Sequence, residues 1–145
     1  MHRYATRTVW EGNLGEGTAR YTGYGRAYRV VIAGKADLAG SADPAFRGQA
    51  DRHNPEELFL AAVSACHMLS YLALCARRGL RVVGYQDTAE ARLDLDAGRL
   101  ADLTLRPEVI LAPGGDAAVA AELHDAAHAR CFIARSCAVP IRVLP

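Results

Sequence analysis

Residues 4–10 are rich in β-branched and aromatic side chains. After a turn-forming stretch at 11–17, the same bias returns at 18–21 and 27–33, around a Gly23-Tyr24-Gly25 break. This pattern predicts strands. Residues 34–53 show no sustained periodicity, and Gly40, Pro44 and Gly48 predict a long loop; compact domains rarely keep such a segment without a functional use. The pattern then becomes helical. Asn54-Pro55-Glu56-Glu57 supplies an N-cap, a proline at the first helical position and two first-turn carboxylates, with Glu57 spaced from Asn54 as in a capping box. The apolar run that follows ends at Arg77-Arg78-Gly79, basic residues and a glycine that close a helix. Its apolar positions lie nearly all round, which predicts burial on most sides, at the centre of a small domain or against a second subunit.

Beyond the helix, residues 81–95 and 99–111 flank Asp96-Ala97-Gly98 and contain period-two alternation, as in a hairpin with one buried face. Pro113-Gly114-Gly115-Asp116 predicts the cap of a second helix over 117–130, and residues 138–144 predict a closing strand. The order is strands, helix, hairpin, helix, strand. An α+β class with antiparallel sheet is expected, as a single domain over residues 1–145.

Composition narrows the function. The chain has 145 residues, 17 basic and 16 acidic, and a formal net charge of +1. No field of one sign is present to hold a nucleic-acid backbone or an anionic membrane. The longest uninterrupted apolar run, residues 58–65, is far short of a membrane span, and Met1-His2-Arg3-Tyr4 does not open a secretory signal. A soluble cytoplasmic protein is expected. Serine-nucleophile elbows, phosphate loops and dinucleotide glycine fingerprints are absent.

Four cysteines remain: Cys66, Cys75, Cys131 and Cys137. They are too few and too scattered for a disulfide scaffold. Cys66 and Cys75 are nine residues apart on one helix and point to opposite sides. Cys75 reads as core, and Cys137, placed in the closing strand, as structural. Cys66 has small neighbours, Ser64 and Ala65, that leave room for a substrate or a second sulfur, although burial as a small hydrophobe is an equal reading. His124, His128 and Cys131 have a spacing that puts three possible ligands on one helix face. A zinc site using them with Cys66 is a remote alternative, because no standard ligand spacing accompanies it.

Two motifs together carry a resemblance. Asn54-Pro55-Glu56-Glu57-Leu58, leading through Ala61-Ala62 to Ser64-Ala65-Cys66, resembles the signature of the OsmC/Ohr family of thiol-dependent hydroperoxide reductases. Ala127-His128-Ala129-Arg130-Cys131 resembles its second cysteine motif, and Trp10-Glu11-Gly12 with Gly17-Thr18 is similar to the OsmC branch. The resemblance implies antiparallel sheets wrapped around long central helices in an intertwined homodimer. It implies Cys66 as peroxidatic thiolate, Cys131 as resolving thiol, and an arginine–glutamate pair tuning Cys66. Glu56 matches the glutamate; Arg47 is the best match for the arginine, with Arg52 the weaker one. The expected activity is reduction of organic hydroperoxides in oxidative-stress defence, through a Cys66–Cys131 disulfide that an external dithiol reduces, without cofactor or metal. The alternative is a binding module of the same fold that holds a small apolar or thiol ligand without turnover. Phe132-Ile133-Ala134 after Cys131, where better-known members have a proline, and His67 after Cys66 depart from the family pattern.

A thiolate is the nucleophile in such a reaction, and an ordinary cysteine is only a few per cent thiolate at neutral pH. A desolvated arginine stabilises the thiolate and polarises the leaving oxygen. Glu56 and Cys66 are ten residues apart, about 15 Å along a helix axis. An arginine bridging them within one chain must be extended, or the site must combine two chains.

Overall fold

A computed structural model describes all 145 residues, which form two compact units, Met1–Leu58 and Phe59–Pro145. In the first, β1 (Arg7–Trp10), β2 (Tyr28–Val31) and β3 (Leu38–Gly40) make an antiparallel sheet in that order. Residues 18–21, expected as a strand, instead form turns and bends. Tyr21, the one aromatic among them, serves a different purpose together with Tyr24. The Arg26 guanidinium lies over the Tyr21 and Tyr24 rings, 4.6 and 3.8 Å from their centroids, and donates to both residues' backbone carbonyls. Gly12 passes so close to Gly25 that an added Cβ would sit 1.8 Å from the Gly25 carbonyl oxygen. The expected loop at 34–53 contains β3 and a 3-10 turn, Pro44–Phe46, capped by Asp43. Ser41 ties the rest down: its N–H donates to the His53 carbonyl and its Oγ accepts from Gln49 N–H.

The helix α1, Pro55–Arg77, starts at the expected capping box. Asn54 Oδ1 accepts from Glu57 N–H at 2.9 Å, and Glu57 Oε2 accepts from Asn54 N–H at 3.1 Å. Gly79, at φ 71°, takes the left-handed turn after the helix. In the second unit the long hairpin divides. Strands β5 (Glu90–Asp94) and β6 (Arg99–Leu105) pair directly, while β4 (Val82–Asp87) pairs with β7 (Pro107–Leu111), all antiparallel. Helix α2, Ala117–Arg130, is capped by Asp116 and followed by a one-turn helix α3, Phe132–Arg135. The closing strand β8, Ile141–Val143, pairs with β6 in parallel, an exception to the expected antiparallel sheet.

Two apolar clusters flank α1. Val63 packs with Leu103 and Leu105 of β6, joined by Ile133 and Ile141; Tyr71, Leu74 and Cys75 pack with Leu123 and Ala127 of α2. A third face of α1 is uncovered in the single chain, so burial on most sides is not reached within one chain. Ala62, Ala65, Leu69 and Ala73 lie along it, with Leu69 63% exposed. By length and composition alone α1 could cross a membrane. Buried His67 and Tyr71, hydrogen-bonded to His124 and Ala120 of α2, give it the packing of a core helix.

Candidate active site

Cys66 projects from α1 into an open cleft of about 730 Å³. Ala62, Leu69 and Ala73 line one side, and Phe132 and Ile133 of α3 the other. Cys66 is half-buried and Cys131 is buried; both are free thiols. The segment after α2 brings three hydrogen-bonding groups to Cys66, and Ser70 of α1 adds a fourth. Cys131 ends α2, and the turn of α3 directs its first backbone N–H groups toward the Cys66 sulfur. Burial alone would raise the Cys66 pKa. The Cys131 thiol, the backbone N–H groups of Ile133 and Phe132 and the Ser70 hydroxyl outweigh burial and hold it below the ordinary thiol value. Cys131 is shifted the other way: burial and its hydrogen bond to Cys66 raise it, against a 3.4 Å contact from Ala134 N–H to its sulfur. Of the two sulfurs, Cys66 is therefore the one the surroundings favour to ionise first.

On an adjoining side of α1, His67 Nε2 lies 3.0 Å from His124 Nδ1, and the His124 ring stacks on Tyr71 with centroids 4.0 Å apart. Tyr71 Oη donates to the Ala120 carbonyl. Burial first, then the neighbouring His124 and His128, push the His67 pKa down to about 4, with Asp87 acting against them. His124 is lowered mainly by burial. The His124-His128-Cys131 series thus does not converge on a shared ligand position. His124 turns into the core while Cys131 meets Cys66, and no group of three ligand side chains is placed to hold a metal ion.

The arginine and glutamate candidates lie in the first unit. Arg47 is exposed, caps the 3-10 turn in a left-handed conformation (φ 66°), and makes no side-chain hydrogen bond or ion pair. Arg52 lies 3.9 Å from a Glu11 carboxylate oxygen and donates to the Tyr28 carbonyl at 3.4 Å. Glu56 lies near Tyr28, whose pKa is raised by burial and then by that carboxylate. Cys75 is core, as expected. Cys137 lies before β8, outside the strand expected to contain it, and donates to the Ala134 carbonyl at 3.5 Å.

A model of the OsmC-like protein family matches residues 48–143, two thirds of the chain and both cysteine motifs. The chain belongs to the OsmC-like family. Its fold agrees with solved OsmC-like structures. An OsmC-like protein of unknown function from Vibrio cholerae is 26% identical over 99% of this chain and 98% of its own, with a TM-score of 0.84. A Legionella pneumophila organic hydroperoxide resistance protein, also described as a predicted redox protein, is 19% identical over 99% and 96%, with a TM-score of 0.71. The organic hydroperoxide resistance protein OhrB of Bacillus subtilis is 21% identical over 97% of each chain, with a TM-score of 0.63. The last two likenesses show the shared fold. No curated protein matches the chain.

Several features of this OsmC-like site were not anticipated from the sequence. Ser70 was absent from the candidates, although its spacing of four from Cys66 puts it one turn along the same face. The N–H donors of Phe132 and Ile133 carry no residue-type signal. Arg77, Arg130 and Arg135 are the only charged residues lining the Cys66 cleft, and none is ion-paired within the chain.

Proposed function

We propose that this OsmC-like protein is a cysteine-based peroxidase for organic hydroperoxides, acting in oxidative-stress defence in a reducing, cytoplasmic setting. The observation that carries the reading is a half-buried Cys66, its pKa lowered, that lines an apolar cleft and meets a buried Cys131 whose pKa is raised. The Cys66 thiolate attacks the distal peroxide oxygen; the O–O bond breaks, the alcohol leaves, and Cys66 becomes a sulfenic acid. Cys131 then attacks that sulfur, releasing water and forming the Cys66–Cys131 disulfide. An external dithiol returns both to thiols. No metal or cofactor enters these steps.

Arg47 is the proposed guanidinium partner of the peroxide, oriented by Glu56. Its freedom from other partners supports it over Arg52, which is engaged by Glu11 and Tyr28. The uncovered apolar face of α1 supports a homodimer in which a second copy covers Leu69 and its neighbours. The test is a thiol titration. One equivalent of cumene hydroperoxide should remove two free thiols per chain and release the alcohol. An unchanged titre would leave the fold without this activity.

A further inference from the structure

The Cys66 cleft combines apolar walls with charge of a single sign. On α1, Ala62, Cys66, Leu69, Ala73 and Arg77 follow one another at helical spacing along one face, and Arg130 and Arg135, which flank Cys131 in sequence, line the same cleft. Six arginines elsewhere in the chain, Arg20, Arg29, Arg52, Arg92, Arg106 and Arg142, meet a carboxylate. Here no acidic residue lines the cleft, and its three arginines are exposed and outside every one of those ion pairs. With 17 basic and 16 acidic residues in the whole chain, this local excess is not the overflow of a basic protein.

Like charges around one cavity repel, and an anion placed among them relieves that repulsion. A guanidinium is also the side chain best shaped to hold a carboxylate, through paired N–H bonds. The cleft, about 730 Å³, has the size of a small-molecule site. A matching ligand presents an apolar body to Leu69, Ala73, Phe132 and Ile133 and a negative end to the arginines. Arg77 stands eleven residues beyond Cys66, about 16 Å along the helix axis. A medium-length alkyl chain laid along this face therefore leads from a head group at Arg77 back toward the Cys66 sulfur.

We propose that the Cys66 cleft is a binding site for amphipathic anions, in which Arg77, Arg130 and Arg135 hold a carboxylate head and the apolar tail lies against α1 and α3. The substrate class that follows rests on the peroxidase reading above: the preferred hydroperoxides carry their own negative charge, and the three arginines set that preference. A second copy over this face, as in the homodimer proposed above, would enclose the ligand and lessen the screening of its ion pairs.

The experiment first measures binding without turnover. Alkylation of Cys66 by iodoacetamide, read by peptide mass mapping, is followed in the presence of octanoate, 1-octanol or octylammonium. Octanoate should protect Cys66 at concentrations about tenfold lower than 1-octanol, the combined size of three small surface ion pairs. Octylammonium should protect least, and the advantage of octanoate should shrink as salt is raised. In an Arg77→Gln/Arg130→Gln/Arg135→Gln variant, octanoate and 1-octanol should protect alike. Equal protection by the two in the unsubstituted protein overturns the site, whatever the variant does, and so does a preference that survives the triple substitution. The second measurement compares oxidation of Cys66 by 8-hydroperoxyoctanoate and by its methyl ester. The acid should react about tenfold faster at low concentration for the same reason, and equal rates overturn the substrate preference. If octanoate protects Cys66 while neither hydroperoxide oxidises it, the peroxidase reading fails and the anion site stands.

Discussion

The chemistry of the cleft depends on an asymmetry between two sulfurs. Cys66 receives hydrogen bonds and Cys131 gives one, so they should respond differently to the same change. Replacing Cys66 with serine should abolish hydroperoxide consumption. Replacing Cys131 with serine should let a sulfenic acid accumulate on Cys66, detectable with dimedone, and over-oxidise under excess peroxide. The donors to Cys66 can be tested singly. Ser70→Ala should move the pH profile of Cys66 alkylation upward, because the thiolate loses an O–H donor. Arg47→Ala should slow single-turnover oxidation by about 10²-fold, the size expected for removal of one preorganised donor to the reacting oxygens, and Glu56→Ala should slow it less. That Cys66 and Cys131 meet was legible in the sequence because their two motifs, taken together, are specific. Phe132 and Ile133 were not, because a backbone N–H has no residue signature and becomes a donor only when α3 forms after Cys131.

At the level of single elements, the start of α1 is the most local feature and the easiest to read in advance. The reciprocal bonds of Asn54 and Glu57 span three residues and need nothing else in the fold. Asn54→Ala should cost about 1 kcal/mol, measured as a lower urea midpoint. The packing of α1 on α2 is the opposite case. His67 read as an oddity beside Cys66, and nothing in the sequence joins it to His124, 57 residues away. In the unfolded chain both imidazoles take up protons near pH 6.5, whereas folded His67 stays neutral down to about 4 and His124 is shifted the same way. Acid therefore favours unfolding. Stability should decline as pH falls from about 6.5 toward 4, and a His67→Leu/His124→Leu double variant should flatten that slope in urea titrations at stepped pH. The stretch at 18–21 misled for a related reason: aromatic residues favour strands on average, but here they stack on Arg26.

For the whole molecule, the α+β class and the order of elements followed from hydrophobic spacing, but spacing is silent on strand direction. The parallel pairing of β8 with β6 was therefore unforeseen. Spacing also marked α1 as apolar nearly all round without saying which face a single chain leaves open. The open face makes assembly testable: the protein should run as a dimer by light scattering at micromolar concentration, and Leu69→Asp should yield monomers. The parallel pairing has a consequence in time. β8 is the last strand of the chain, and only Cys131, α3 and a short connection separate it from α2. Three of the four groups that lower the Cys66 pKa thus lie in the stretch drawn into place when Ile141 settles beside Leu103. A chain that has not made that closure holds Cys66 without the backbone N–H groups of Phe132 and Ile133 that lower its pKa. On the peroxidase reading proposed above, oxidant reactivity would then follow the completion of folding.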